Sequence, residues 1–536
     1  MKKILILGIL LWATGWQAGQ VWAQNRPNQV REQVIKYQRL MGLIDAFYID
    51  TVNLHRLTED AIVKVLSDLD PHSVYISKEE VEEMNEPLEG GFFGIGIQFN
   101  ILRDTLVVVD VIVGGPSEKV GLRAGDRIVA VDGENIAGKK ISNTEVRKRL
   151  KGEKGTPVNV RVLRGNEWMD FRIIRDKIPI YSVDASYMLD SITGYIKISR
   201  FAATTIEEFE KAVITLQAQG MRDLILDLQG NGGGYMGAAI GISDHLLTGS
   251  KLIVYTDGLA SGRQGEYSTH VGLLEMGRVV VLIDFNSASA SEIVSGAVQD
   301  WDRGVIVGRR SFGKGLVQRQ FPLTDGSMIR LTTAHYYTPS GRCIQKSYSK
   351  GEEAYQEEIY ERFQNGELLS ADSIVVNDSL KYFTKVKGRI VYGGGGIIPD
   401  VFVPMDTNVN FRYFNHLIAK NVIGEYMGNY IDKHRSALKK KYSTFEQFKR
   451  EFTVDDQMVE EIVLAGEKAG ILKDEKALAL LLPSIKLQLK AIIARDLWDM
   501  NEMYQIMNDE DEVLQKGLEI LRNGTYEEIL KNVGQQ

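Results

Sequence analysis

Cysteine is almost missing from this chain: its 536 residues hold one, Cys343. No intrachain disulfide and no thiolate metal cluster can form. No histidine stands beside Cys343 in a nucleophile motif, so a buried structural thiol is the expected role. A basic excess is missing too. The 64 Lys and Arg are outnumbered by 71 Asp and Glu, for a net charge of −7. That argues against a nucleic-acid partner, because such proteins carry a basic face. Beyond the first residues we expect no membrane span, since no long uncharged apolar run follows. What is present is ordinary for a globular protein with a sizeable core: 44% hydrophobic and 25% charged residues, in a length that suits several domains.

The first residues read as a secretory leader. Lys2 and Lys3 form its basic end, Ile4 to Trp12 are almost wholly apolar, and Val21-Trp22-Ala23 puts small residues where a signal peptidase cuts. Residues 1–23 are therefore expected to direct export, with a periplasmic mature protein. An uncleaved anchor is the alternative, and it would leave the protein membrane-associated.

Residues 25–85 carry apolar positions at helical spacing: Val34, Leu40, Ile44 and Phe47, then Leu57 to Leu69. Asp70-Pro71-His72-Ser73 breaks that pattern, and His72 is expected to cap rather than to catalyse. Residues 86–176 read as a β-rich module. Gly94-Ile95-Gly96-Ile97-Gln98-Phe99 leads into a strand, Thr105 to Val113 is β-branched, and Ala124-Gly125-Asp126-Arg127-Ile128 opens another strand. Residues 178–404 alternate strands and helices, the rhythm of an α/β core, with an insertion over 351–395. Residues 405–536 look helical, and packing against the core or a second subunit is their expected role.

Three segments of the α/β region carry chemistry. Ser289 lies in Ser287-Ala288-Ser289-Ala290-Ser291-Glu292, after the apolar run Val279–Ile283, and should open a helix. The N–H of Ala290 would then be an unpaired donor at a positive dipole end. Asp227-Leu228-Gln229-Gly230-Asn231-Gly232-Gly233-Gly234 also joins a strand to a helix. Its glycines allow backbone N–H groups close to a substrate, as an oxyanion site needs, and it lacks the Gly-Lys-Ser/Thr ending of a phosphate loop. Lys314 lies in Phe312-Gly313-Lys314-Gly315. A serine hydroxyl needs a base, and a lysine serves only if burial lowers its pKa. If Val317 to Phe321 is a strand, Gln318 shares a face with Lys314 and can orient its amine.

With these motifs the chain resembles the carboxyl-terminal processing peptidases, or tail-specific proteases, which are serine peptidases with a Ser-Lys dyad. The resemblance runs from about residue 30 to 405, the extent of the motifs that carry it. It implies a multidomain α/β fold: a crotonase-like βα peptidase core, an inserted PDZ domain, and helical N- and C-terminal regions. It makes Ser289 the nucleophile, Lys314 the general base and Gln318 its orienting partner. Ala290 and a glycine of the triple-glycine loop, Gly234 or else Gly233, would form the oxyanion hole. Gly94, Ile95, Gly96 and Ile97 match the loop that receives a peptide's terminal carboxylate. Ile95, Ile97 and Phe99 suit protein substrates with apolar C-termini. No metal or cofactor is implied. The helical N- and C-terminal regions are candidate homodimer surfaces. The family's usual arginine in the Asp227 loop is Gln229 here. Two other readings stand beside this one: a coenzyme A-dependent hydratase on the same kind of core, and a non-catalytic periplasmic peptide-binding scaffold.

Overall fold

In a computed structural model the described residues are 28–531, except 113, 270, 271, 275 and 406–411. The expected leader lies outside them. The α/β region builds one six-stranded sheet in the order Val183–Met188, Thr193–Ile198, Asp223–Asp227, Val279–Ile283, Val305–Gly308, Val401–Phe402. The first pair is antiparallel and every later pair is parallel.

The sequence explains why this sheet is buried on both faces. Val279-Val280-Val281-Leu282-Ile283 is unbroken in apolarity, as a strand covered on two sides requires. Val279, Val281 and Ile283 join the cluster containing Phe209, Ile242 and Val294, from helices Thr205–Ala218, Met236–Leu246 and Ala290–Asp300. Val280 and Leu282 face the other way, onto Leu514, Leu518 and Leu521 of helix Glu512–Asn523. The last helices of the chain thus close the second face of the core. Helices between 412 and 507 make a separate apolar cluster, which includes Phe448, Leu481 and Leu489. By length and composition helix Glu475–Leu497 is apolar enough to cross a membrane, although Lys486 and Lys490 interrupt its apolar run. Its Leu481, Ile485, Leu489 and Ile493 are buried in that helical cluster.

A second sheet carries Val74–Ile76, Met328–Tyr337, Leu252–Gly258 and Gly262–Tyr267, with Leu316–Pro322 paired to Met328–Tyr337. The PDZ-like module is a third sheet, Ile97–Leu102, Thr105–Val111, Arg127–Val131, Pro157–Arg164 and Glu167–Ile174. It joins the core through a two-stranded stem, Gly91–Gly94 against Asp176–Pro179. The expected N-terminal helices form at 28–47 and Leu54–Ser67. Their apolar positions do not all face the core: Val34, Leu40 and Phe47 are 59, 51 and 79% exposed.

Candidate active site

Three loops leave the carboxyl ends of adjacent parallel strands, where open α/β sheets place their sites. The Asp227–Gly234 loop follows Asp223–Asp227, the Ser289 turn follows Val279–Ile283, and the Lys314 loop follows Val305–Gly308. Ser289 caps helix Ala290–Asp300 with φ 55° and ψ −108°, a conformation costly for any side-chain-bearing residue. It persists because its surroundings over-determine it. The Ser289 N–H donates to Glu292 Oε2 at 2.7 Å, and its carbonyl accepts from Tyr336 OH at 3.0 Å. On either side, Ala288 N–H and Ser291 Oγ both donate to the Asn231 carbonyl, at 3.0 and 2.8 Å.

Glu292 closes the Ser287–Glu292 segment and joins the site from the first turn of helix Ala290–Asp300. It is fully buried. Besides Ser289 N–H it accepts from Ser311 Oγ at 2.5 Å, Gly313 N–H at 2.7 Å and Lys314 N–H at 2.9 Å. One carboxylate therefore clips the Ser289 turn to the Lys314 loop. Burial pushes the Glu292 carboxyl up, against the pull of these donors. Its sequence signal was available: Ser289-x-x-Glu292 is a capping box. Only the fold shows that the same acid also holds a second loop.

The Lys314 Nζ donates to Gln318 Oε1 at 3.0 Å, and Gln318 Nε2 donates to the His72 carbonyl at 2.5 Å. Among the described residues no hydrogen bond joins Lys314 Nζ to Ser289 Oγ. Burial pushes the Lys314 amine down to about 8; the Arg330 guanidinium adds to this, while Glu292 and Asp70 oppose it. Gln318 does meet Lys314, but not through regular alternation. Lys314 precedes the strand Leu316–Pro322, and a β-bulge interrupts that strand between Val317 and Gln318. His72 fixes Gln318 with its carbonyl, while its ring meets Tyr355 OH at 2.8 Å. Burial, then Lys314, lowers the imidazole to about 4, so it is neutral near pH 7. Asp70 sets this turn by accepting from His72 N–H, Ser73 N–H and Thr332 Oγ1.

The glycine loop lies against the serine. A Cβ on Gly233 would stand 2.9 Å from Ser289 Cβ and 3.1 Å from Ala290 N, so no side chain fits. The Gly233 N–H donates to Asn231 Oδ1 at 2.9 Å. Among the described residues the N–H groups of Ala290 and Gly234 donate to no partner. A Cβ on Gly234 would collide with the Phe201 carbonyl.

In the PDZ-like module Gly96 adopts φ 74° in the Gly94–Ile97 loop. Ile95 is 2% exposed and belongs to the module's own core. This corrects its expected place beside Ile97 and Phe99 in an apolar groove; those two are half-buried. Cys343 is half-buried, and burial raises its thiol, as an inert role requires.

Residues 192–351 match the model of peptidase family S41, residues 94–174 that of the PDZ domain, and residues 413–499 that of a family of unknown function. The carboxy-terminal-processing protease of Bartonella bacilliformis is 31% identical over 76% of this chain and 93% of its own length. The chain belongs to peptidase family S41, the carboxy-terminal processing proteases. This sets aside the hydratase and scaffold readings: the protein is a serine peptidase with a PDZ domain. The carboxy-terminal processing protease CtpB of Bacillus subtilis is 33% identical over 62% of this peptidase and 69% of its own length. Among solved structures, the photosystem II D1 C-terminal processing protease is 30% identical, covering 55% of this peptidase and 80% of that chain, with a TM-score of 0.32.

Proposed function

We propose that this peptidase cleaves protein substrates by acyl transfer on Ser289, with Lys314 as the general base. The observation that carries the reading is the Glu292 clip, which holds a strained serine turn and a desolvated lysine loop on one carboxylate. In this reading Lys314 takes the Ser289 proton as Oγ attacks the scissile carbonyl. The oxyanion is received by the N–H groups of Ala290 and Gly234, which point no hydrogen bond elsewhere among the described residues. Gly234 is preferred to Gly233 because the Gly233 N–H is occupied by Asn231. Collapse breaks the C–N bond, and Lys314 returns the proton to the leaving amine. Water, deprotonated by Lys314, then releases the acyl group and restores the serine. Gln318 orients the amine throughout.

The PDZ domain supplies the substrate's C-terminus. The loop Gly94-Ile95-Gly96-Ile97 would receive the terminal carboxylate, with Ile97 and Phe99 favouring an apolar last residue. The leader-like residues 1–23 support export to the periplasm, with membrane association if they are retained. The exposed apolar positions of helix 28–47 support a homodimer, in which a second copy covers Val34, Leu40 and Phe47. The helices between 412 and 507 are a second surface for it.

A fluorophosphonate probe tests the chemical core of this reading. It should add one adduct, located by mass spectrometry on Ser289, and Lys314→Ala should abolish the labelling. An adduct on Ser287 or Ser291 would overturn the assignment.

A further inference from the structure

The region of residues 413–531 touches both the PDZ domain and the loop behind Ser289. At the PDZ end, helix Val422–Lys441 lies on strand Ile97–Leu102 and the neighbouring turn. Asp432 pairs with Arg127 at 3.0 Å. Arg435 Nη2 donates to the Val109 carbonyl at 3.0 Å while its Nη1 donates to the Asp496 carbonyl at 2.6 Å. A Cβ on Gly428 would stand 3.2 Å from Asn100 Nδ2, so the helix backbone sits close on the strand. Besides this contact, the described ties between the PDZ sheet and the rest of the chain run through the slender Gly91–Gly94 and Asp176–Pro179 stem and pairs such as Lys151 with Glu86.

At the core end the same region reaches the catalytic loop. Asp511 caps helix Glu512–Asn523, accepting from Leu514 N–H at 2.9 Å, and also accepts from Gln229 Nε2 at 3.1 Å. Gln229 stands in the loop whose glycines press on Ser289. Its carbonyl accepts from Lys197 Nζ at 2.6 Å, and that amine pairs with Asp227 at 3.0 Å. Burial beside the Asp227 carboxylate pushes the Asp511 carboxyl up, which makes the Gln229 contact one of the few that favour its charged form. Asn508 Nδ2 to Tyr187 OH at 2.6 Å and Asn501 Oδ1 to Ser186 N–H at 2.9 Å dock the preceding turns beside it. Between the two ends runs one continuous apolar cluster, Tyr413 to Ile506.

We infer that residues 413–531 are a strut that sets the PDZ domain's position and, through Asp511 and Gln229, the conformation of the Asp227–Gly234 loop. Gln229 and Asp511 are positioning residues: they touch no substrate and act through the glycines. The inference rests on the Ser289–Lys314 reading. It goes beyond it by giving the C-terminal region a part in turnover.

A double-mutant cycle on the full-length protein tests it, with cleavage of an unfolded protein bearing an apolar C-terminus as the readout and Ser289→Ala as the control. Gln229→Ala, which spares the helix cap, should lower kcat about tenfold, the size one lost buried hydrogen bond can produce. It should leave KM nearly unchanged, while the unfolding midpoint falls only by what one buried hydrogen bond supplies. Asp511→Asn, whose oxygen can keep the Leu514 cap while its NH2 donates to a Gln229 amide turned to present Oε1, should retain most of the activity that Asp511→Ala loses. Arg435→Ala should lower kcat in the wild-type background and have less than half that effect, in log units, when added to Gln229→Ala. Distant independent sites add; full additivity of Arg435→Ala and Gln229→Ala, with wild-type cleavage intact, overturns the strut alone. Absence of wild-type cleavage, or cleavage that survives Ser289→Ala, overturns the dyad reading and the strut with it.

Discussion

Replacing Glu292 by glutamine changes one oxygen for an NH2 group at the centre of the site. The carboxylate accepts four donors, two on each oxygen: Ser311 Oγ and Gly313 N–H on one, Ser289 N–H and Lys314 N–H on the other. An amide accepts at one oxygen only, so whichever way it turns, one pair of donors faces an NH2 group. Leaving a buried donor unpaired costs about 1–3 kcal/mol, so the pair costs about 2–6 kcal/mol. The low end applies if the amide faces Ser311, whose hydroxyl can turn away. The high end applies if it faces Ser289 and Lys314, whose backbone N–H groups cannot. A domain's whole stability is about 5–15 kcal/mol, so the variant should fold, less stably. The strained Ser289 backbone would lose a bond that maintains it. Urea unfolding should show the lost stability, and fluorophosphonate labelling at 25 °C should slow by at least an order of magnitude, the rate equivalent of about 1.4 kcal/mol. Wild-type stability together with wild-type labelling would refute the clip.

Four further outcomes follow from the geometry. Because burial lowers the Lys314 amine to about 8, the neutral base accumulates as pH rises, so kcat/KM should climb through pH 8 and then level; Arg330→Gln removes a neighbouring cation and should move that climb to higher pH in a pH–rate profile. Gly233→Ala drives a Cβ into Ser289 and should cut kcat by about 100-fold, with a correctly folded protein by circular dichroism. Phe448→Ala empties a fully buried site stacked on Phe452 at 4.7 Å and should cost about 3–5 kcal/mol in urea unfolding. Removing residues 95–175 while keeping the stem strands should change substrate selectivity or basal rate; unchanged cleavage of every substrate would remove the PDZ domain from the mechanism.

Much of the core was legible because its strands are short, apolar and separated by helices with clear ends. Strand Val279–Ile283 lies where its apolar run predicts it. Strand Met328–Tyr337 escaped the reading: Arg330, Thr332, Thr333 and His335 break its apolar pattern, since it holds the Asp70 turn and Lys314 loop instead of a dry core. Ser289, Lys314 and Gln318 stood out as residue types in glycine- and alanine-rich loops. Glu292 and Asn231 did not, because their work is done by carboxylate and carbonyl oxygens that join loops distant in sequence. The apolar face of helix 28–47 was visible as a period, but periodicity does not say whether the face meets the core or another molecule. Ile95 shows the same limit inside the PDZ domain, where a loop position next to a strand turns inward.

The Ser289–Lys314 assignment is tested most directly by cleavage of one unfolded protein with an apolar C-terminus by the wild type, Ser289→Ala and Lys314→Ala, each purified without residues 1–23. A Ser289–Lys314 dyad gives cleavage by the wild type that both variants lose while keeping the wild-type unfolding midpoint. Equal cleavage by Ser289→Ala would contradict it.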